Sequence, residues 1–409
     1  MAIMAEAAPN ITERKTVVIL GGSFAGLHVA HFLLKKAKNV KVIVVSKNSH
    51  FYWNLASPLV IAGQLDPDRL LVPIQAALIR YPADKWELVV GVASGVHFAE
   101  KRVNVAVRTN NNPDLLRTLS YDQLVIATGA RLVYDAVVRA PWKAVSTAED
   151  LRERLRAFAA AVAEARHITI CGAGGTGVEL AGELGAAYGG SGDKEIHLMC
   201  RGNKLGIGDT VALAAARELE RLGVKIHYNT CVTGVMFISP LAPQEVQNKQ
   251  HLVLNNSEDE LWQTDLYFPT TGLEPNTEFI PEQYLVEADF DLRPVKVDRF
   301  LRVQETTDAW ACGDVVSQPR ASYRVTKSQA NTVARNVLAA LDGKKPTPWE
   351  KLKWDVFACA IGPDSGVGHI NDKYPVPSFL VRRKKSRDLG MRKMKKYIDG
   401  SVTEDWIWF

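Results

Sequence analysis

Three glycines with a fixed spacing, Gly172, Gly174 and Gly177, form the pattern G-x-G-x-x-G within the stretch ICGAGGTGVELAGE. Between a strand and a helix, such glycines allow a tight turn, a close approach of backbone N–H groups to a pyrophosphate, and close packing of the helix on the strand. Here the pattern follows a buried-type strand and precedes a helical stretch, as dinucleotide binding requires. We therefore predict a dinucleotide-binding site at this loop, which also contains Gly175 and Thr176.

A less regular copy, VVILGGSFAG, lies near the start of the chain. Gly21 and Gly26 hold the outer positions, but Ser23 replaces the middle glycine. A serine adds a Cβ where the phosphate must come close, yet its hydroxyl can itself donate to a phosphate oxygen. The alternatives at this point are a second dinucleotide site and a tight turn without a ligand. The same turn contains Gly22, Phe24 and Ala25.

Both copies lack the acidic residue that holds a ribose diol about 20 positions further on. The second strand of the first copy ends at Ser46-Lys47, and that of the second copy ends at Cys200-Arg201. A missing carboxylate beside an arginine removes the repulsion of a 2′-phosphate and supplies a charge partner for it. Arg201 therefore favours NADPH, or equal use of NADPH and NADH. The alternative is that Arg201 is a solvated loop residue.

Two β-α-β units must position these loops. Residues 15–46 and residues 168–200 each read as a buried strand, a helix and a second buried strand. Alternation of this kind predicts parallel sheets covered by helices, an α/β fold.

Two further glycine-containing strand ends complete an ordered set. LVIATG contains Ala127, Thr128 and Gly129, and TDAWACGD ends in Gly313-Asp314 before a helical stretch over residues 328–341. The order glycine loop, ATG, glycine loop, GD resembles that of glutathione-reductase-like flavoproteins, which have two Rossmann-like dinucleotide-binding domains. The resemblance implies that the first loop and the GD motif hold FAD, and that the second loop holds NADPH or NADH. It also implies that Asp314 bonds the ribityl and pyrophosphate region, and that the helix around Gln329 points its positive end at the flavin.

The branch of this class can be narrowed from the cysteines and from three short stretches. The five cysteines are scattered, and the first helix carries His28 and His31 where disulfide reductases carry their cysteine pair, so electrons must leave the flavin for a diffusible acceptor. GVELAGE, PTTGLEPNT and KSRDL resemble the apoptosis-inducing-factor-like branch, which includes ferroptosis suppressor proteins and is related to type II NADH dehydrogenases. The similarity covers residues 16–398, and KSRDL is its most specific part.

This resemblance implies an FAD-dependent oxidoreductase that passes a hydride from NAD(P)H to flavin and then two electrons to a quinone. Glu179 matches a family glutamate near the nicotinamide–flavin junction. Lys385 matches a lysine beside the isoalloxazine, where an ammonium can stabilise charge on a reduced flavin or polarise a quinone carbonyl. The alternatives are a helix-surface glutamate and one lysine among many. No metal site is implied, and the implied cofactor-binding residues are Gly21, Gly22, Ser23, Phe24, Ala25, Gly26, Ser46, Lys47, Asn54, Pro58, Ala127, Thr128, Gly129, Gly172, Gly174, Gly175, Thr176, Gly177, Arg201, Gly272, Gly313, Asp314 and Gln329.

Three domains are expected along the chain. Residues 15–140 and 270–343 would form an FAD-binding domain, residues 141–269 an inserted NAD(P)H-binding domain, and residues 344–409 a small C-terminal module with a basic tail. The relatives' acidic residue after the second strand is Ser46 here, so the contact with the FAD ribose must differ.

The basic tail, defined as Arg382–Lys396, contains nine Lys or Arg and one acid, Asp388. Its net charge is +8, so the overall +5 leaves −3 for the rest of the chain, and this favours a local interaction surface over general nucleic-acid binding. Met391, Met394, Tyr397 and Ile398 follow helical spacing, and the chain ends in the aromatic run 406–409. Two alternatives are open: these residues face an anionic lipid surface, or they pack on the body or on a second subunit.

Composition and termini exclude several classes. A hydrophobic content of 47% and a charged content of 23% are those of a globular protein. No apolar run is long enough to cross a bilayer, no secretory signal is visible, and no Gly follows the first Met for myristoylation. We expect a cytoplasmic location, with peripheral attachment to the mitochondrial outer surface or a lipid droplet as the variant suggested by the relatives.

Two other functions remain open. The first is an NAD(P)H oxidase or a tailoring flavoenzyme for specialised metabolites. The second is a death-signalling flavoprotein that binds nucleic acid or membrane through the basic tail, although the match of KSRDL to a flavin-proximal segment predicts that some of those cations face inward. The acceptor, the nicotinamide preference and the choice between monomer and homodimer are not determined by the sequence.

Overall fold

The helices and strands were located in a computed structural model that describes residues 14–108, 115–132, 142–143, 147–236, 249–287, 293–316 and 322–404. The strands are β1 Lys15–Leu20, β2 Val40–Ser46, β3 His50–Tyr52, β4 Leu71–Pro73, β5 Trp86–His97, β6 Arg102–Val107, β7 Leu115–Ser120, β8 Gln123–Ile126, β9 Ala130–Leu132, β10 His167–Cys171, β11 Glu195–Met199, β12 Val224–His227, β13 Val232–Met236, β14 Gln250–Leu254, β15 Ser257–Thr264, β16 Leu266–Pro269, β17 Leu273–Pro275, β18 Ala309–Ala311, β19 Val356–Ile361, β20 Ser365–Ile370 and β21 Tyr374–Val376.

The α-helices are α1 Phe24–Lys36, α2 Ser57–Ile61, α3 Ile74–Leu78, α4 Ala148–Glu164, α5 Gly175–Tyr188, α6 Asp209–Arg221, α7 Tyr323–Leu341, α8 Ser378–Val381 and α9 Met394–Ile398. A π-helical turn, Arg382–Ser386, continues α8. Short 3-10 turns occur at Asn54–Ala56, Pro67–Leu70, Ala83–Lys85, Glu282–Tyr284, Met391–Lys393 and Ser401–Thr403.

The larger sheet has the strand order β18-β8-β1-β2-β5-β6-β7. Its first five strands are parallel, and β6 and β7 extend it in antiparallel fashion. The strand β1 is a run of β-branched and leucine side chains buried on both faces, as expected for a central parallel strand. Its side chains Val17 and Ile19 contribute to one core with α1 and α7, while Val18 and Leu20 contribute to a second core on the opposite face.

The smaller parallel sheet has the order β12-β11-β10-β16 and repeats the same design. Buried residues of α5 and α6 pack on it in a separate core. The antiparallel hairpin β14–β15, with β13 beside β14, follows this sheet. The sequence predicts a hairpin excursion over residues 239–258; the turn that would precede β14, residues 237–248, lies outside the described part of the chain.

The C-terminal segment is an antiparallel sheet, β19-β20-β21, with short helices, and it packs on both parallel-sheet units. Ala360 of β19 belongs to the core of the larger sheet, whereas Cys359 and Ile361 belong to that of the smaller sheet. In addition, the Asp372 carboxylate accepts hydrogen bonds from the first two backbone N–H groups of α6, from Asp209 (3.0 Å) and Thr210 (3.1 Å). The segment therefore joins the two units through apolar and polar contacts.

The helix after the GD motif begins at Tyr323, five residues before the predicted start. The hydroxyl of Ser322 accepts a hydrogen bond from Val325 N (3.2 Å), so an N-cap starts the helix despite the β-branched residues of its first turn. Gln329 consequently lies inside α7 and not at its N-terminus. The predicted helix start at residue 328 is therefore wrong, because the positive end of α7 is at Tyr323. That this end points at the flavin stays a prediction.

We predict that Gly182→Ala weakens the packing of α5 on β19. A Cβ at Gly182 would lie 2.8 Å from both Gly362 N and Ile361 Cα. Overpacking of this kind costs about 1–3 kcal/mol, of which alanine's better helix propensity returns about 1 kcal/mol. The melting temperature of Gly182→Ala should fall, while that of Gly190→Ala, whose Cβ would meet nothing within 4 Å, should stay unchanged. Equal melting temperatures for both variants would contradict this account of the packing.

Candidate functional site

The first glycine loop is shaped by backbone contacts. Gly21 has φ +117°, and a Cβ there would lie 2.2 Å from the carbonyl oxygen of Ala127 at the end of β8. A Cβ at Gly26 would lie 1.7 Å from Gly21 O, so any larger residue would push α1 away from β1. Ser23 is the N-cap of α1, is exposed and makes no capping hydrogen bond, which leaves its hydroxyl at the open, positive end of the helix.

The second glycine loop follows the same rules. A Cβ at Gly177 would lie 1.8 Å from Gly172 O, and Gly172, with φ +116°, is closed in by Thr270 and Thr271. A Cβ at Gly174 would meet nothing within 4 Å. The outer glycines are thus required by packing, while the space in front of the middle glycine is open, as a ligand phosphate needs. Gly175 and Thr176 begin α5 at this open end.

Threonines after β8 and β16 tie each loop to a neighbouring segment. Thr128 Oγ1 donates to Asn276 O (2.8 Å), and Asn276 Nδ2 donates back to Thr128 O (2.9 Å). Thr270 Oγ1 lies 2.9 Å from both Cys171 O and Gly172 O at the second loop. The adjacent glycines Gly129 and Gly272 have φ of +69° and +76°. Sequence reasoning missed Asn276 and Thr270, although both lie in the quoted stretch PTTGLEPNT.

The GD motif lies next to Gln329. Gly313 N donates to Gln329 Oε1 (2.8 Å), and the Nε2 atom of Gln329 is buried without a hydrogen-bond partner among the described residues. The carboxylate of Asp314 forms an ion pair with Lys143 Nζ (2.7 Å). Lys143 was missed, because nothing in the sequence links a lysine in a loop to an aspartate so far along the chain.

After β2, where the sequence lacks the expected acidic residue, the side-chain amide of Asn48 is present. Ser46 is buried against Gly22, and its hydroxyl donates to Asn48 O (2.7 Å). The side-chain nitrogen of Asn48 is buried and has no partner among the described residues. Lys47 is half-buried. Sequence reasoning missed Asn48, for which the only signal was its position just after the strand.

Asn54 and Pro58 serve the local structure of the loop after β3. Asn54 Nδ2 donates to Trp142 O (2.7 Å), and Pro58 lies in the first turn of α2, where it is buried. Together they direct α2 against α5.

Arg201 lies exposed just after β11. The nearby Lys204 is paired with Asp209 (2.7 Å), whereas no ion pair of Arg201 is found within the described residues. Its guanidinium is therefore available to a phosphate at the carboxyl end of the smaller sheet.

The two residues predicted to be catalytic are 206 positions apart in the sequence and in direct contact in the structure. Glu179, on α5, forms an ion pair with Lys385, on the π-helical turn after α8. Glu179 Oε1 also accepts a hydrogen bond from Ala360 N (3.1 Å), and Lys385 Nζ donates to Ala358 O (2.7 Å). Glu179 is nearly buried, with 9% of its side chain exposed, whereas 26% of the Lys385 side chain is exposed. The pair thus joins a nearly buried carboxylate to a partly exposed lysine.

A second carboxyl group, Glu183, lies one helical turn after Glu179 and is fully buried. Neither of its oxygens has a hydrogen-bond partner among the described residues. Burial, followed by the charge of Glu179, raises the pKa of Glu183 to about 8. This shift favours the protonated form of Glu183 at neutral pH.

The apolar residues of the basic tail face inward. Tyr397 is 1% exposed, and Met391, Met394 and Ile398 pack on the core of the larger sheet. Of the two alternatives for these residues, packing on the body is therefore the one observed; the aromatic run 406–409 lies outside the described residues. Among the described helices, none has the length and apolar composition to cross a bilayer.

Several cations of the tail are also paired. Arg382 pairs with Asp364 (2.7 Å) and Arg392 with Asp388 (2.7 Å), in addition to the Lys385 pair. Of these three cations, only Lys385 pairs with a nearly buried carboxylate, as expected for charge that faces inward; Arg382 and Arg392 are 44% and 64% exposed.

Comparison with known proteins identifies a family and several relatives. The family model for pyridine nucleotide-disulphide oxidoreductases matches residues 15–335. The oxidoreductase ptaL of Pestalotiopsis fici is 32% identical to this chain over 396 residues, which cover 95% of this chain and 100% of that protein. Ferroptosis suppressor protein 1 of Taeniopygia guttata is 25% identical over 387 residues, covering 92% of this chain and 94% of that protein.

Among solved structures, the sulfide:quinone oxidoreductase of Aquifex aeolicus is similar with a TM-score of 0.73 and 16% identity, over 95% of this chain and 92% of that chain. This likeness concerns the fold. All five cysteines here are free.

The buried Glu183 generates a prediction about pH and stability. Unfolding returns its pKa from about 8 to 4.5, so between these values the folded state binds more protons and stability falls as pH rises. At about 1.4 kcal/mol per pKa unit, the loss has an upper limit of about 5 kcal/mol. The melting temperature of Glu183→Gln should therefore rise relative to the unsubstituted protein as pH increases from 5 to 8.

The control for this experiment is Glu153→Gln, at an exposed position of α4. Its melting temperature should run parallel to that of the unsubstituted protein over the same pH range. If Glu183→Gln also runs parallel, Glu183 is ionised in the folded protein and the prediction is wrong.

Proposed function

Because the chain belongs to the pyridine nucleotide-disulphide oxidoreductase family, we propose that it is an FAD-dependent NAD(P)H:quinone oxidoreductase. The broader statement, that it is a flavin-dependent NAD(P)H oxidoreductase, follows from the family and from its oxidoreductase relatives. The quinone acceptor is our proposal. In the proposed reaction, NAD(P)H and one proton from solvent supply the two electrons and two protons that convert a quinone to a hydroquinone, leaving NAD(P)⁺.

FAD and a nicotinamide dinucleotide are the cofactors of this chain. FAD supplies, when bound, a redox centre that exchanges two electrons with a nicotinamide and with an acceptor. The residues fit this group: the open end of α1 with the Ser23 hydroxyl would bind the pyrophosphate, and the buried amide nitrogens of Asn48 and Gln329 have no partner among the described residues. The Lys143–Asp314 pair would add a cation and an acceptor beside them.

The nicotinamide dinucleotide would use the second loop. The open space at Gly174 admits its pyrophosphate to the N-terminus of α5, and Arg201 would contact the ribose at the end of β11. Glu179, in the first turns of the same helix, lies on the path from this loop to Lys385.

The main support for the quinone acceptor is the contact between Glu179 and Lys385. The carboxylate holds the ammonium in one position, and because the Lys385 side chain is partly exposed, an acceptor oxygen would approach it from that side. A positive charge held at this position stabilises the negative charge that develops on a quinone oxygen during reduction, and Lys385 Nζ can deliver a proton to it.

The alternatives named from the sequence have less support. An oxidase needs no cation for a carbonyl acceptor, and a nucleic-acid surface needs free cations, whereas several cations of the basic tail are paired. A tailoring role in specialised metabolism keeps the same chemistry and differs only in the quinone-like acceptor.

Anaerobic titration of the purified protein tests the function. NADPH or NADH should bleach the flavin absorption band, and a short-chain quinone added afterwards should restore it at once. If only air restores the band, the protein is an oxidase; if neither nucleotide bleaches it, the proposal fails. The same titration with Arg201→Ala should raise the NADPH concentration required by about tenfold and leave the NADH concentration unchanged, as expected for the loss of one charge-assisted contact.

For the ion pair, we predict that Lys385→Met lowers kcat for quinone reduction by 100-fold or more, on the order of the loss of an electrostatic or proton-donating group. Lys395→Met, a substitution at an exposed position of α9, should keep full activity.

A double variant separates catalysis from stability. Lys385→Met leaves the Glu179 carboxylate buried without its cation, which should also lower the melting temperature. Adding Glu179→Gln should restore the melting temperature but not kcat. Recovery of both would mean that Lys385 acts only on stability.

A further inference from the structure

Lys393 holds a positive charge over an aromatic ring close to the catalytic pair. Its Nζ lies 5.5 Å from the centre of the Tyr323 ring, over the ring face. The side chain is half-buried, and within the described residues no carboxylate pairs with it. A cation in this position gains only a modest attraction from the ring, on the order of 1 kcal/mol.

The surroundings of Lys393 are themselves positive. Burial, followed by the charges of Lys385 and Lys327 and then of Lys384 and Lys396, lowers its pKa. Glu179 is paired with Lys385, and Asp388 is paired with Arg392. Lys393 therefore lies in a positive environment with no ion pair of its own among the described residues.

Three aromatic residues, Tyr323, Phe24 and Trp53, lie beside Lys393. Tyr323 meets Phe24 edge-to-face at 5.9 Å and Trp53 at 6.0 Å between ring centres. Phe24 is the first residue of α1, directly after Ser23 in the first glycine loop. One turn after Tyr323 on α7 lies Lys327, which is 8% exposed. The aromatic residues and the lysines thus lie together beside the loop that would hold FAD.

We propose that Lys327, Lys385, Lys393 and Tyr323 form a site for an anionic aromatic acceptor, and we call it the basic acceptor site. Its ligand would be a quinone that carries an ionised hydroxyl, a carboxylate or a sulfonate: the ring packs on Tyr323, and the anion is bound by Lys393 and Lys327. This inference rests on the proposed function, because Lys385 is the residue that both share. It adds the charge of the acceptor, which the family does not specify.

Matched quinones test the proposal in turnover. The kcat/KM for 1,4-naphthoquinone-2-sulfonate is divided by that for 1,4-naphthoquinone, first in the unsubstituted protein and then in variants. Comparing ratios between proteins cancels the difference in reduction potential between the two quinones. Lys393→Met should lower the ratio by about tenfold, and Lys393→Arg should preserve it. Lys351→Met, at an exposed position before β19, should not change it. Addition of 0.5 M KCl should lower the ratio of the unsubstituted protein.

Binding gives a readout that does not depend on turnover. Titration calorimetry of the FAD-loaded protein with naphthalene-2-sulfonate, a redox-inert probe, should give a Kd that rises about tenfold in Lys393→Met and returns in Lys393→Arg. 2-Naphthalenemethanol, the neutral counterpart, should bind both proteins equally. The FAD content and melting temperature of each variant are measured first, so that a misfolded protein is not taken for a weak binder.

The outcomes separate this inference from the proposed function. Reduction of both quinones with a ratio that Lys393→Met does not change would overturn the basic acceptor site and leave the reductase intact. Binding of naphthalene-2-sulfonate that depends on Lys393, without reduction of any quinone, would support the site and overturn the reductase. A Kd for the sulfonate that is equal in Lys393→Met and Lys351→Met would overturn the site in either case.

Discussion

A carboxylate removed from water must be neutralised, and much of the arrangement of this chain depends on how Glu179 meets that requirement. The helix α5 places Glu179 where the two parallel-sheet units meet, and the cation that neutralises it comes from the C-terminal segment. The backbone N–H of Ala360 on β19 is the second donor. A buried carboxylate without these partners would cost several kcal/mol. The C-terminal segment is thus required for charge balance as well as for packing, and this fixes an ammonium at the open side of the site.

The two glycine loops have the same backbone geometry, but the residues around them differ. In each loop the first and last glycines are required because a Cβ there would lie 2.5 Å or less from a backbone oxygen or a threonine side chain. The middle position has no such constraint, so it is glycine in one loop and the exposed Ser23 in the other. The two strands that lack the acidic residue also end differently. The strand β2 ends at the buried Ser46, near the unpaired side-chain amide of Asn48, whereas β11 is followed by the exposed Arg201. Packing therefore fixes the backbone geometry of both loops, while the residues available to a ligand differ between them.

Local features of the sequence were sufficient to predict much of this fold. Buried β-branched runs predicted the strands β1 and β2, because a parallel strand covered on both faces must be apolar throughout. Helix starts were less predictable: α7 begins at a serine cap whose effect exceeds the weak helix propensity of Val325 and Thr326. Contacts between distant parts of the chain left no periodic signal at all. Lys143 beside Asp314 and Asn48 with its unpaired amide are the examples, since each depends on how loops meet after folding.

The basic tail shows why charge counted along a sequence is a poor guide to where that charge acts. Nine cations beside helically spaced apolar residues are compatible with a lipid-facing surface and with packing on the body. In the structure Tyr397 is buried, and its carbonyl oxygen lies 2.6 Å from Nε2 of the buried His31. This anchor holds the segment on the body, where the charges of Lys385 and Lys327 lower the pKa of Lys393 after the effect of burial. Like charges held together cost free energy, and a bound anion removes that cost. A ligand that binds only the folded state also stabilises it. The repulsion among these lysines is therefore a source of affinity for an anionic acceptor, and it is available only because the fold prevents the tail from moving away.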